Sequence, residues 1–263
     1  SLAKYYSRMT SRSTPFGLFA SCSLAQWGSH TKIDVKDRPL RRTRLDMFYL
    51  CRLVQQLQQK EAIMRRLRYF PNSTIYVLGN EIRFIETVYK NERRTYRISA
   101  VDNSDYTSDI LNKAAEGLRP EELSEYLGKY QVEKAEADEF IQHLIEAQLL
   151  VPEWEPAITG KEYMYQVMET LEAMPDVDEE ITRIAATLRE IERQLKVLDM
   201  QGINEPTQYR LVIELIKTLD VPFREEKIFQ VDMVQGIAPG STLDASLQPS
   251  LYDALDFFDA IIP

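Results

Sequence analysis

Residues 74–104, TIYVLGNEIRFIETVYKNERRTYRISAVDNS, decide the fold. Three runs inside it, 74–78 (TIYVL), 81–88 (EIRFIETV) and 94–101 (RTYRISAV), are rich in β-branched and aromatic residues. Such residues suit a pleated, half-buried surface, so each run is predicted to be a strand. Gly79-Asn80 separates the first two runs and fits a tight hairpin turn. The polar stretch 89–93 (YKNER) makes a second turn, and Asp102-Asn103-Ser104 closes the sheet. Three helices are predicted next. The first spans about 107–117, with Thr107 or Ser108 as its cap and Gly117 at its end. The second spans about 120–129 and starts on Pro120, which suits the first helical position. The third spans about 133–147, with Ala137, Phe140, Ile141, Leu144 and Ile145 on one face. Leu149–Val151 reads as a return strand before Pro152. A small antiparallel sheet, three short helices and a return strand predict a winged helix-turn-helix module over 73–155.

On the amino-terminal side, residues 2–12 read as a helix that Pro15 ends near Thr14. Residues 18–27 and 31–36 read as strands, and 38–44 (RPLRRTR) is a dense basic run. A helix is predicted over 46–68 from the stripe of Leu50, Leu53, Val54, Leu57, Ile63 and Leu67. Pro71-Asn72-Ser73 is a break. On the carboxyl side, a helix is predicted over 161–173 and a long amphipathic one over 178–200. In the latter, Ile181, Ile184, Leu188, Ile191, Leu195 and Leu198 alternate spacings of three and four. The seam lasts only about three heptads, which favours an outer helix packing on its own domain over a coiled-coil partner site. Residues 209–216 (YRLVIELI) and 228–234 (IFQVDMV) read as strands, and a last helix begins at 248. The fold class is α+β: mixed helices and antiparallel sheets with the winged-helix module inserted. The domains are 1–72, 73–155 and 156–263.

Hydrophobic content of 44% and charged content of 28% fit a globular protein. No run approaches the ~18 apolar residues of a membrane span, and the first residues lack a signal peptide. The start lacks an initiator Met and the end has no tail, so the chain reads as a piece cut from a longer protein. Cys22 and Cys51 make no disulfide framework, and with His30 and His143 they match no zinc spacing. No metal is expected, and a reducing cytoplasm is the default compartment. The net charge of −9 hides a split: residues 1–68 carry 14 Lys and Arg against 4 Asp and Glu, a net of +10, and the remainder is −19. A basic first quarter suits phosphate neutralisation, although on composition alone packing of the basic part against the acidic part is the favoured reading. Residues 107–155 hold 4 basic against 12 acidic residues. A winged helix this acidic is repelled by a phosphate backbone, which argues against DNA and against a transcription regulator.

Phosphate-binding glycine loops, dinucleotide fingerprints, HExxH and GxSxG are absent. One segment stands out, residues 8–20, RMTSRSTPFGLFA. Arg8 and Arg12 fall on one helix face beside hydroxyls and a glycine turn. Two guanidinium forks can hold a phosphate or carboxylate at any working pH. The bland alternative is a pair of surface arginines.

The string R-x-x-x-R-x-T-P-F-G-L-F resembles the amino-terminal motif of lantibiotic dehydratases. That resemblance implies an enzyme that glutamylates Ser and Thr of a ribosomally made precursor peptide from glutamyl-tRNA, a co-substrate in place of any cofactor. The glutamate is later eliminated to leave a dehydroamino acid. It implies functional roles for Arg8, Arg12 and Thr14. It extends to Arg41-Arg42-Thr43-Arg44-Leu45-Asp46, pointing to Asp46, and to Gln230-Val231-Asp232-Met233, pointing to Asp232. The basic residues Arg38, Arg41, Arg42 and Arg44 are the candidates for tRNA contact. The winged helix has a counterpart in the family, a PqqD-like module that binds the leader peptide by strand addition. The corresponding peptide-binding residues are Arg94, Tyr96 and Ile98 on the edge strand, with Phe140 and Leu144 on the third helix.

The family's enzymes are much longer than this chain, so no complete dehydratase activity is expected from these residues alone. The resemblance also brings a cyclase and a transporter of the same pathway as partners, membrane association through them, and a homodimer. Two other readings keep the fold: a peptide aminoacyl-tRNA ligase of the same superfamily, and a leader-binding module without catalysis.

Overall fold

The hairpin expected in 74–101 is present in a computed structural model of the chain, which describes residues 2–11, 21–36, 40–90, 93–156, 159–174, 178–201 and 204–261. In chain order its elements begin with α1 (Leu2–Ser11), β1 (Ser21–Cys22), β2 (Gln26–Gly28), β3 (Leu40–Leu45), α2 (Met47–Gln58), α3 (Glu61–Met64) and β4 (Tyr69–Pro71). Next come β5 (Tyr76–Leu78), β6 (Glu81–Lys90), β7 (Arg93–Asp102), α4 (Asp105–Ala114), α5 (Pro120–Leu127), α6 (Lys134–Glu146) and β8 (Leu150–Pro152). The chain continues with α7 (Tyr163–Ala173), α8 (Glu179–Met200), α9 (Pro206–Lys217), β9 (Phe229–Val234), β10 (Thr242–Asp244) and α10 (Gln248–Ile261). Two compact units result: residues 1–49 with 189–263, and residues 50–188.

In the 50–188 unit, β5, β6 and β7 form an antiparallel sheet with β6 in the centre. Gly79 turns the first hairpin with a φ of 61°, a region that glycine enters without steric cost. Alternation buries Ile82 and Phe84 of β6 and leaves Ile85 exposed. Helices α4, α5 and α6 follow as expected. Ser104 caps α4 by accepting a hydrogen bond from the Thr107 amide at 3.1 Å. Neither Thr107 nor Ser108 does so, because Thr107 is already in the helix and buried. Gly117 ends this segment with a φ of 73°, and a Cβ there would lie 2.5 Å from the Phe70 ring. The return strand β8 pairs with β4, a three-residue strand in a segment read from sequence as a break.

In the other unit, β9 runs between β1, parallel to it, and β3, antiparallel to it. A second pair, β2 with β10, is also parallel, so the expectation of antiparallel sheets is corrected for these two pairs. Residues 31–36 make isolated bridges at Lys32 and Val35 and no strand. The helix expected over 46–68 breaks after Gln58 and resumes as the short α3.

The largest correction is 209–216. The segment is part of helix α9, not a strand. Pro206 stands at the helix start, and the Gln208 side chain accepts from the Glu205 amide at 2.7 Å. Val212, Ile213 and Ile216 are buried while Leu211 is 60% exposed, which is the one-sided burial of a helix. The seam of α8 is buried within the chain from Ile181 to Leu198, as the packing reading of that helix requires.

Candidate functional site

Strand β3 carries the basic run. Side chains alternate along a strand, and the burial follows: Thr43 and Leu45 are buried on one face, and Leu40 and Arg42 are exposed on the other. The alternation sorts the arginines. Arg41 shares the face of Thr43, and its side chain is only 10% exposed. Its guanidinium donates to the carbonyl oxygens of Leu198 and, at 2.8 Å, Gln201, where α8 ends. A cation there satisfies carbonyls that the helix leaves open and complements the helix dipole. Asp199 lies 3.5 Å from Arg41 Nε and accepts from the Thr43 amide at 2.8 Å and the Thr43 hydroxyl at 2.6 Å. Arg41 is thus engaged by its own chain.

Arg42 and Arg44 lie on the opposite face with residues of β9. The register sets Arg42 across from Asp232 and Arg44 across from Gln230. Arg44 forms an ion pair with Asp232, both side chains being about one-third exposed, at 39% and 33%. Gln230 Nε2 donates to the same carboxylate at 3.4 Å. The structure therefore brings Arg42, Arg44 and Asp232 together on one partly exposed sheet face. Asp232 pairs with Arg44, and Arg42 is exposed on the same face.

Asp46 follows β3 directly. Its amide donates to Ile228 O at 2.9 Å, and its Oδ1 accepts from the Phe48 amide at 2.9 Å. The carboxylate thus caps the start of α2. Arg8 sits in the last turn of α1 and is exposed. Arg12, Thr14 and Arg38 lie outside the described residues.

The peptide-binding candidates belong to the 50–188 unit. Tyr96 and Ile98 of β7 are 63% and 69% exposed. Arg94 stands 3.4 Å from Glu155 and 5.4 Å from the Tyr96 ring. Phe140 of α6 is half-buried, and Leu144 is 5% exposed and belongs to the core. A cleft of about 710 Å³, unread in the sequence, is bordered by Thr74, Ile85, Thr87, Arg94, Tyr96 and Gln148. On the other face of the same sheet, the Arg97 guanidinium and the Ser99 hydroxyl hold the Glu86 carboxyl below the usual carboxylate range. Neither Cys22 nor Cys51 is in a disulfide, and the described residues hold no group of three side chains that could hold a metal ion. Among them, no helix is long and apolar enough to cross a membrane.

A family model described as the lantibiotic dehydratase N terminus matches residues 1–256. The chain belongs to that family. It is 23% identical over 175 residues to the epidermin biosynthesis protein EpiB of Staphylococcus epidermidis, a match covering 65% of this chain and 18% of EpiB. It is 29% identical over 92 residues to the nisin biosynthesis protein NisB of Lactococcus lactis subsp. lactis, covering 35% of this chain and 9% of NisB. The chain thus spans less than a fifth of the length of these relatives. Among solved structures, the tRNA-dependent lantibiotic dehydratase MibB from Microbispora sp. 107891 matches 97% of this chain and 25% of its own, with a TM-score of 0.71 at 19% identity. The TbtB glutamylation domain from thiomuracin biosynthesis matches 97% of this chain and 30% of its own, with a TM-score of 0.60 at 18% identity. The chain shares the mixed helix-and-sheet fold of these proteins.

Sequence reasoning missed Asp199, the partner that separates Arg41 from its neighbours. The signal was the alternation of Thr43 and Leu45, which becomes readable once 40–45 is taken as a strand. It also missed the engagement of Gln148, for which no motif exists.

Proposed function

We propose that this chain is the part of a lantibiotic dehydratase that brings glutamyl-tRNA and a precursor peptide together for glutamyl transfer. The observation that carries the reading is the family match over residues 1–256. The fold shared with the TbtB glutamylation domain supports it. A further TbtB structure is described as bound to 5'-phosphodesmethylglutamycin.

In the proposed step, a Ser or Thr hydroxyl oxygen of the peptide attacks the carbonyl carbon of the glutamyl ester. A new ester bond forms, the bond to the tRNA ribose oxygen breaks, and the hydroxyl proton ends on that leaving oxygen. The carbonyl oxygen gains negative charge on the way, and Arg8 or Arg12 is assigned to stabilise it. Thr14 is assigned a hydrogen bond to the glutamyl group or the tRNA end. Asp46 orients an arginine or relays the proton. Arg42 and Arg44 are assigned to tRNA phosphates, with Asp232 holding Arg44 in place; their shared exposed face supports this assignment.

Residues 73–155 are proposed as a winged-helix module of the leader-binding kind, set between the 1–72 and 156–263 parts of the glutamylation domain. Its support is the three-stranded sheet followed by α4, α5 and α6, with β7 at the sheet edge and exposed side chains at Tyr96 and Ile98. An extended peptide added there gains main-chain hydrogen bonds.

The arginine roles are tested by Arg8→Lys and Arg12→Lys in the enzyme that carries this chain, since Lys keeps the charge and loses the fork. Glutamyl transfer is expected to fall at least about tenfold in each, one donor's share of such a site. Unchanged transfer in both would remove the arginine clamp.

A further inference from the structure

Strand β5 covers only the start of β6. Its register runs from Leu78 opposite Glu81 to Tyr76 opposite Arg83. Beyond Arg83 the main-chain groups of Ile85 and Thr87 point to the side that β5 has left. An uncovered strand edge is a template for any extended chain. Here all four groups are taken by side chains. The Ile85 amide donates to Thr74 Oγ1 at 2.8 Å, and the Ile85 carbonyl accepts from Asn72 Nδ2 at 3.2 Å. The Thr87 amide donates to Gln148 Oε1 at 2.8 Å, and the Thr87 carbonyl accepts from Gln148 Nε2 at 2.9 Å. The Gln148 amide group thus pairs with Thr87 as a neighbouring strand would.

The donors are themselves fixed. Asn72 is buried, its Nδ2 also donates to Gln148 O at 2.9 Å, and its Oδ1 accepts from the Thr74 amide and hydroxyl. Gln148 lies just past α6 with a φ of 61°. Its amide bonds to Ile145 O, and the Leu149 amide bonds to Leu144 O, the pattern of a helix end at which glycine usually stands. A glutamine there carries a conformational cost that glycine would not. The paired amide gives the position a reason to be glutamine. Space for a strand exists beside it, because the cleft of about 710 Å³ borders Thr74, Ile85, Thr87 and Gln148.

We propose that Asn72, Thr74 and Gln148 act as a side-chain strand that closes the β6 edge, making them specificity-determining residues that leave β7 as the edge to which an extended peptide adds. Ile85 pairs with Ile98 and Thr87 with Tyr96 across the sheet. Because Ile85 and Thr87 turn their groups away from β7, antiparallel alternation turns those of Tyr96 and Ile98 outward as well. The closed edge stands on the geometry alone; that the added strand is a leader peptide rests on the preceding reading.

The test follows amide hydrogen exchange in the wild-type chain, in Thr74→Ala/Gln148→Gly and in Gln148→Gly alone, with and without a synthetic peptide carrying the leader segment of the precursor. In the wild type, peptide should slow exchange at Tyr96 and Ile98 and leave Ile85 and Thr87 unchanged. In the double variant, Ile85 and Thr87 should exchange about tenfold faster without peptide, as expected for a lost hydrogen bond. They should become protected again with excess peptide or at high chain concentration, showing addition at the second edge. A double variant that opens this edge yet stays monomeric and gains no protection there would overturn the proposal. Gln148→Gly keeps a residue suited to the helix end, so it should stay folded and show the effect at Thr87 if the double variant does not fold. A wild type that shows no protection at Tyr96 and Ile98, beside a variant that self-associates through β6, would end the peptide-addition reading and keep the closed edge.

Discussion

Asp46 has one role in the structure and a second that is proposed for it, and substitution can separate the two. Its carboxylate accepts from the Phe48 amide at 2.9 Å and so caps α2, and under the proposed function it is also a residue of the transfer reaction. Asp46→Ala removes both roles. Losing an N-cap acceptor costs about 1 kcal/mol, within a range of about 0.5–2. In a protein of this size that lowers the melting temperature by about 2–4 °C per kcal/mol. Asp46→Asn keeps an oxygen acceptor in the same place and loses the charge, so the cost falls to the dipole contribution of about 0.3–1 kcal/mol. The assay pairs thermal unfolding with transfer of labelled glutamate from glutamyl-tRNA to the precursor peptide. Asp46→Asn is expected to melt within about 3 °C of the wild type and to lose at least about a hundredfold in transfer, the scale of a proton-handling group. Near wild-type transfer by Asp46→Asn would refute the catalytic assignment and leave Asp46 as a helix cap.

Arg41 and Arg42 are neighbours with opposite expectations. Arg41→Ala should destabilise by about 1.5–3 kcal/mol, because it abandons the end of α8 and Asp199; Arg42→Ala, at an exposed position, should cost no more than about 1 kcal/mol and lower the salt slope of tRNA binding by roughly 0.7–0.9, as one lost phosphate contact does. Gly117→Ala should lower the melting temperature, since its φ of 73° is unfavourable for alanine and the new Cβ would meet the Phe70 ring; an unchanged melting curve would contradict the turn geometry. Acid should weaken the 50–188 unit: Glu86 is held below the ordinary range by Arg97 and Ser99, and Asp109 by Lys129 and two tyrosine hydroxyls. The folded state binds these protons less tightly than the unfolded state, so their stabilisation is complete above the unfolded pKa values near 4 and is lost as pH falls through the lower folded values. Glu86→Gln should flatten the acid limb of a stability profile measured by denaturant unfolding.

The sequence discloses elements whose signal is local and periodic. The strands of 74–101 alternate and are joined by Gly79-Asn80, and α8 repeats its apolar residues over about five turns, so both are legible. The run at 209–216 misleads because Val212 and Ile213 are β-branched and adjacent. Pro206 and Gln208, just upstream, are the stronger signal, and the buried side of α9 outweighs strand propensity. Strand β4 is three residues long and has no period to read. The site is legible to the extent that motif residues lie in register: Arg44 and Asp232 are 188 residues apart and meet because β3 and β9 pair. Arg41 reads like its neighbours until strand alternation turns it to the end of α8. The Gln148 contacts depend on a left-handed backbone and on strands far along the chain, so no local pattern announces them.

Glutamyl transfer is measured most directly by the fate of labelled glutamate supplied as glutamyl-tRNA to the enzyme carrying this chain, with its precursor peptide. Label is expected in ester linkage on Ser and Thr side chains of the peptide, abolished by blocking the β7 edge with Ile98→Pro and reduced by Arg42→Ala. Label found in an amide bond at the peptide's carboxyl terminus, or a peptide that stays unlabelled while the folded enzyme binds both substrates, would contradict that transfer.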